Sequence, residues 1–313
     1  MRWRLFLAFL LLACLLWGGS RLYFALTDGF AVSNLEPAFI YEAAEPLSAL
    51  HQLSPEELSL LLSQEFHYLD KGCQAYVFGS SDGRYVLKLI KQQRFRTKPW
   101  LDALSYLPWF ANYRKERLAH KQAKLFRLLD GWSAAARHLS EEAGIVWVYL
   151  GQKRSEQPPL KVVLKDKLGG RHTIDLLSTH FMIQRRVDAM LAPHLEGLIA
   201  SQQQEAAKQL LNELIAMVVG EYQRGLADHD PALLQNTGVC AGHPIHIDLG
   251  QLACQQEARQ EAFWKQHLFD KTVQLRDWLR SRSAPLTAHL EEKLFQLLGP
   301  SLYTRRPTPS HGS

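Results

Sequence analysis

Cysteine is scarce in this chain. The four cysteines stand at 14, 73, 240 and 254 of 313 residues, with no Cys-x-x-Cys spacing. That excludes a zinc ribbon and a disulfide scaffold, and it fits a reducing compartment slightly better than an oxidising one. Cys240 and Cys254 could pair, but nothing demands it. A dense basic run with interleaved aromatics is also missing; Lys91, Arg94, Arg96 and Lys98 come nearest. The net charge of +5 suits phosphates or a membrane surface but is too small to argue for nucleic acid. No internal repeat is visible. The composition, 47% hydrophobic and 21% charged, carries no disordered bias. The length allows one large domain or two small ones, each with a real core.

Long apolar runs are equally rare, with one exception at the start. "MRWRLFLAFLLLACLLWGGSRLYFAL" places Arg2 and Arg4 before an uncharged stretch from Leu5 to Ser20. Alone, that stretch is short for a spanning helix of roughly 20 residues. Snorkelling of Arg21 lets Leu22 to Leu26 extend it. A secretory signal shares the charged start and apolar middle, but no strong small-x-small cleavage site follows. The loose lipoprotein-like box at Leu11 to Cys14 runs into further apolar residues, which argues against cleavage there. The expectation is an uncleaved single-pass anchor over residues 1–26, contacting the membrane through residues 5–26. The charge bias favours a cytoplasmic N-terminus and an exported body. It is a weak guide for so short a run, and the side of the membrane stays open.

Residues 27–54 contain Pro37 and Pro46 and read as a linker. Ser54, Pro55 and Glu57 form a capping-box signature that starts a helix. The stretch from His67 to Gln92 alternates in two runs about a turn at 80–83, a hairpin signature. Residues 111–129 have helical periodicity. Residues 145–150 and 160–164 read as strands, joined through a polar loop with Pro158 and Pro159. From about His180 to Gly225 the pattern is mostly helical, and helices resume after Gly250. The tail 304–313 reads as disordered. Strands first, one embedded helix, then helices predict a two-lobed α+β chain. The expected boundaries are an N-lobe at 55–165 and a helical C-lobe at 166–303.

The chemistry concentrates at three places. "LDKGCQAYVF" offers the small residues Gly72 and Ala75 ahead of Val77, so a backbone could approach phosphates closely. Lys88 shares a strand face with Val86 and Ile90, where an unpaired cation is costly. Read alone, Lys88 is a snorkelling edge-strand lysine. Glu116 is the only glutamate between Lys88 and Asp130 and is the candidate carboxylate partner; read alone, it is a surface residue pairing with Lys115 or His120. The richest stretch is "GLADHDPALLQNTGVCAGHPIHIDLGQL". Asp228 or Asp230 could take a proton from a hydroxyl, and Asn236 and Asp248 could supply the oxygen ligands that Mg²⁺ prefers. A zinc set of His243, His246 and Asp248 is the competing reading. In a strand His243 falls on the opposite face from the other two.

In this order the motifs resemble the protein-kinase-like superfamily. "LDKGCQAYV" is similar to its glycine-rich loop, "YVLK" to its strand-lysine motif, "ADHDPALLQN" to its catalytic loop and "HIDLG" to its Asp-Phe-Gly motif. The resemblance covers roughly residues 60–255. It implies a two-lobed kinase-like fold, a nucleotide site using Gly72, Val77, Lys88 and Glu116, a base at Asp230 or Asp228, and Mg²⁺ on Asn236 and Asp248, with ATP as cofactor. The departures are specific. Asp70 and Ala75 replace two loop glycines, the Asp230 to Asn236 spacing is one residue longer than usual, and no Ala-Pro-Glu motif follows. These favour an atypical kinase, or an inactive pseudokinase serving as a membrane-tethered scaffold. The substrate and any protein partner stay open, and no nucleic acid is expected.

Overall fold

A run without proline or acidic residues, rich in leucine, alanine and phenylalanine, favours a continuous helix despite Gly18 and Gly19. In the computed structural model, which describes residues 2–42, 52–104, 106–151 and 159–303, it forms α1, Arg2–Thr27. At 1.5 Å per residue, 26 residues extend about 39 Å, against the roughly 30 Å hydrocarbon core of a bilayer. Its apolar side chains are exposed, and it is long and apolar enough to cross a membrane. The helix stops where Asp28 and Gly29 turn left-handed, with φ of 54° and 72°. The Gly29 N–H donates to the Phe24 carbonyl at 3.1 Å. The left-handed backbone at Gly29, over which the Phe24 ring lies, favours glycine.

The residues after α1 are packed, although the sequence reads as a linker there. Asp28 accepts from Tyr68 Oη at 3.0 Å and Lys167 Nζ at 2.9 Å, and pairs with Lys71. Lys71 and then Lys167 hold its carboxyl well below the usual carboxylate range. Phe30 is buried edge-on against Tyr76, Phe78 and His172. Burial of such a ring contributes about 1.5–3 kcal/mol. Leu35 and Tyr41 are buried as well. Pro46 lies outside the described residues, as do Pro158 and the tail 304–313.

The chain divides into two compact units, and neither is contiguous. The first comprises Met1–Glu42, Leu53–Gln122 and Tyr149–Ile183. It holds α1, then α2 (Pro55–Leu62), whose capping box forms as the sequence predicts, with Glu57 N–H on Ser54 Oγ at 3.2 Å. Next come β1 (Glu65–Lys71), β2 (Ala75–Ser80) and β3 (Tyr85–Ile90), an antiparallel meander. A bulge at Leu69 shifts the register between Tyr68 and Asp70. The predicted turn at 80–83 joins β2 to β3, with Gly83 at φ 73°. Then follow α3 (Pro99–Ala103) and α4 (Pro108–His138), longer at both ends than its periodicity predicted. The strands β4 (Ile145–Tyr149), β5 (Lys161–Lys165), β6 (Arg171–Asp175) and β7 (Phe181–Arg185) complete a seven-stranded sheet in the order β4-β7-β3-β2-β1-β5-β6. The unit boundary runs within α4, β4 and β7. Two expectations change here. β6 and β7 lie beyond residue 165 yet belong to the sheet, and β7 falls where helix was expected. Four of its five residues are buried, so it lacks the alternation that marks a half-exposed strand.

The second unit comprises Ala43–Gln52, Ala123–Val148 and Gln184–Ser313. Its strands are short: β8 (Ala189–Met190), β9 (Leu226–Asp228), β10 (Thr237–Cys240), β11 (His243–His246) and β12 (Leu252–Cys254). Its helices are α5 (Leu191–Ala200), α6 (Gln204–Gln223), α7 (Leu233–Asn236), α8 (Glu261–Lys271), α9 (Val273–Arg280), α10 (Ala284–Leu298) and α11 (Pro300–Tyr303). On α6 the buried positions include Leu210, Leu211, Leu214, Ile215, Val218 and Tyr222, at three- and four-residue spacing. They pack with Leu268, Leu275, Leu290 and Leu294 in one core.

Candidate functional site

The polar stretch that follows α6 is held by two sets of paired strands. β9 pairs with β12, setting Asp228 opposite Leu252. β10 pairs with β11, setting Thr237 opposite His246. Just beyond that hairpin, the Ile247 N–H donates to the Asn236 carbonyl at 2.8 Å. The two loops, 229–236 and 247–251, therefore adjoin, and His229 N–H reaches the Gln251 carbonyl at 3.3 Å. Asn236 and Asp248 flank the same crossing. The second loop also backs onto α4. A Cβ on Gly131 would meet the carbonyls of Leu249 at 2.8 Å and Leu252 at 2.9 Å.

Asp228 and Asp230 are equivalent in the sequence and unlike in the structure. Asp228 is 1% exposed. Its Oδ2 accepts from Lys271 Nζ at 2.5 Å and lies 3.4 Å from His246 Nε2, and its Oδ1 accepts from the Asp230 N–H at 3.2 Å. His246 Nδ1 in turn contacts Glu221 Oε1 at 3.0 Å. Lys271 also donates to the carbonyls of Asp228 at 3.0 Å and Asp230 at 2.8 Å. Two carboxylates thus face two cations inside the unit, a charge-balanced arrangement without which burial would be prohibitive. Burial alone would push the His246 imidazole down, but Glu221 and Asp228 outweigh it and raise its pKa to about 10. Burial works against the Asp228 carboxylate too, yet His246 and Lys271 hold it well below the usual range. His246 is thereby held toward its protonated form, with both ring nitrogens facing carboxylates. His243 is exposed and pairs with Glu213 at 2.8 Å. No group of three or more metal-ligating side chains occurs among the described residues, so the zinc reading falls.

Asp230 is half-buried. Its two oxygens accept from the Ala232 N–H at 3.0 Å and Gln251 Nε2 at 3.1 Å. Asp248 is exposed and accepts from the Gly250 N–H at 3.1 Å. Asn236 is buried, and its side-chain nitrogen has no partner among the described residues. That nitrogen is a hydrogen-bond donor, so it calls for an acceptor rather than a cation. Glu221 and Lys271 were not singled out from the sequence. Glu221 sits on the amphipathic α6 and Lys271 at the end of α8, and a charged residue on a helix ordinarily marks its solvated face.

The remaining candidates belong to the first unit. Gly72 opens the loop between β1 and β2 and is exposed; the next strand carries Val77, paired in register with Lys88. Leu87 and Leu89 are fully buried on one face of β3, while Val86 and Lys88 are half-buried on the other. The loop carbonyls are already engaged, Gly72 by Lys91 Nζ at 2.6 Å and Cys73 by Arg94 Nη1 at 2.5 Å. Burial, with Arg94 and Lys71 close by, pushes the Lys91 ammonium down to about 8. Glu116 is exposed, and no ion pair joins it to Lys88 among the described residues. The contacts that this part of α4 makes with the unit come from other side chains, among them Phe110 against Trp100 and Arg114 on Asp102 at 2.6 Å.

No protein-family model matches the chain, and no curated protein is similar to it. Solved structures are similar in part. Rv3197 from Mycobacterium tuberculosis, solved as a complex with erythromycin, matches at TM-score 0.36 and 16% identity over 80% of this chain and 60% of that one. WbdD matches at TM-score 0.33 and 14% identity over 77% of this chain and 48% of that one. A further structure of WbdD, described as a bifunctional kinase-methyltransferase, gives TM-score 0.30 and 14% identity over 75% and 45%. This chain spans 60% or less of the length of each. At these scores the likenesses carry no argument for its activity.

Proposed function

We propose that this chain is a membrane-anchored, kinase-like phosphotransferase using ATP and Mg²⁺ on a hydroxyl-bearing substrate. The observation that carries the reading is the adjoining pair of loops bearing Asp230, Asn236 and Asp248, backed by the network of Asp228, His246, Glu221 and Lys271. In this reading Asp230 is the base. Its carboxylate is half-exposed with acceptor capacity left, whereas both oxygens of Asp228 are engaged inside the unit. Asp230 would take the hydroxyl proton on its carboxylate, held in place by the Gln251 amide. Asn236 and Asp248 would hold Mg²⁺, which when bound neutralises phosphate charge. Gly72, Val77 and Lys88 would serve the nucleotide, and α1 would be the single-pass anchor. Binding is tested by thermal shift of the full chain in detergent with Mg-ATP. A stabilisation lost in both Lys88→Ala and Asp248→Ala is expected. No shift for the wild type, or an equal shift for the variants, overturns the enzyme reading.

A second reading, a pseudokinase scaffold, is favoured by Glu116 lying exposed on a stretch of α4 in which no residue is buried. ATP turnover abolished by Asp248→Asn would remove it.

A further inference from the structure

The start of α4 touches its own unit only at the edge, where Arg114 pairs with Asp102 at 2.6 Å and Lys121 Nζ donates to the Arg94 carbonyl at 2.5 Å. None of residues 108–124 is buried; the first buried side chain is Leu125. The buried second half of α4 carries the helix, which leaves the side chains of its first turns open to a partner. The apolar side chains there are aromatic and grouped. Trp100 is 53% exposed, Tyr106 76%, Trp109 69% and Tyr113 42%. Phe110 meets the rings of Trp100 and Trp109 edge-on and tilted, each with 6.4 Å between centroids. Basic residues surround them. Between 94 and 117 the chain carries Arg94, Arg96, Lys98, Arg114, Lys115 and Arg117 against only Asp102 and Glu116. The Arg117 guanidinium lies 5.3 Å from the Tyr113 ring.

This corner is tied to the residues that leave α1. Arg96 donates to the Glu36 carbonyl at 2.7 Å, and Gln92 Oε1 accepts from the Ala38 N–H at 3.2 Å. Residues 28–35 are themselves pinned through Asp28, Phe30 and Leu35. The first unit therefore has no slack behind the helix that spans the apolar layer. Amphipathic rings flanked by cations are the chemistry that seats at a bilayer's headgroup level, and a net positive corner complements anionic lipid.

We infer that the α3–α4 corner, through Trp100, Tyr106, Trp109 and Tyr113 with Lys98 and Lys115, docks on the anionic headgroup surface of the membrane that α1 enters. The inference rests on α1 being embedded but not on the kinase reading. Hydrogen exchange of the full chain in phosphatidylcholine nanodiscs, with and without phosphatidylglycerol, tests it. Exchange over 99–117 slows by about tenfold or more on the anionic discs relative to detergent. The Trp100→Glu, Trp109→Glu double variant loses that protection while its melting temperature holds, since both side chains are exposed. Lys98→Glu with Lys115→Glu loses the preference for anionic lipid. Protection of α1 in the same experiment reports the anchor separately: α1 protected with 99–117 exchanging freely refutes docking alone. Equal protection on both disc types refutes the anionic assignment. Protection that follows protein concentration rather than lipid shows a second copy on the face and also refutes it.

Discussion

Lys271→Met is the sharpest test of the buried network. Lys271 is a nearly fully buried ammonium whose three hydrogen bonds go to the Asp228 carboxylate and to the carbonyls of Asp228 and Asp230. Methionine keeps most of the volume and removes every donor. Asp228 is then left inside the unit with only His246 against it, while Glu221 still draws on the same imidazole. Breaking one side of a buried pair costs about 3–5 kcal/mol. For a unit of this size, each kcal/mol moves the midpoint by roughly 2–4 °C, so melting falls by about 6–20 °C. Calorimetry of the full chain in detergent measures it, with hydrogen exchange of α8 and α9 peptides assigning the loss to the second unit. The double variant with Asp228→Leu should recover part of the loss, because the stranded charge is gone. A fall below about 2 °C for Lys271→Met would refute the claim that this cation offsets the buried carboxylate. So would strictly additive losses in the double variant.

Three further outcomes follow from the same physics. The two units should respond oppositely to pH. In the first, His180 is buried, takes a 2.7 Å contact from Gln92 and is pushed by burial down to about 4. Its folded value lies below the unfolded 6.5, so its contribution is present above that pH and declines as pH falls toward about 4. In the second, His246 is raised to about 10, so its contribution is full below about 6.5 and lost as pH rises through about 10. Segment-resolved hydrogen exchange across pH reads both, and His180→Gln and His246→Gln should each flatten one limb. Gly131→Ala should cost about 1–3 kcal/mol by overpacking against two backbone carbonyls, with the largest exchange increase in 247–252. Asp28→Asn removes the charge that pairs with Lys71 and Lys167 while tolerating the left-handed turn. Faster limited proteolysis between 28 and 42 is expected, and unchanged cleavage would mean the turn is held by Phe30 and Tyr76 alone.

Local signals in the sequence served where one residue type did one job. Ser54, Pro55 and Glu57 announced a helix start because a capping box is written within four positions. The Asp82-Gly83 turn announced β2 and β3, and the apolar runs near 145 and 160 announced β4 and β5. β7 escaped notice because a strand buried on both faces loses its alternation. Residues 28–42 read as a linker because their order comes from distant partners, Tyr68, Lys71, Tyr76 and Lys167. At the candidate site the cluster was visible but its internal division was not. Nothing in "ADHD" tells which aspartate turns inward; that depends on Lys271, 43 positions away, and on Glu221 reaching His246. Glu116 illustrates the converse. Being the only glutamate in the interval fixed its place in the chain, not its surroundings, and it lies exposed on α4.

The alternation of the chain between its two units has a consequence for inheritance. Each unit is assembled from three separated segments, and α4, β4 and β7 each contribute to both. A single crossover anywhere within these segments divides one unit or both. Recombination therefore cannot trade one unit for a relative's by a single exchange, as it can with domains strung end to end. Changes in either unit must accumulate by substitution within an otherwise intact gene, and hybrid chains joined at one point in the middle should fail to express as folded protein.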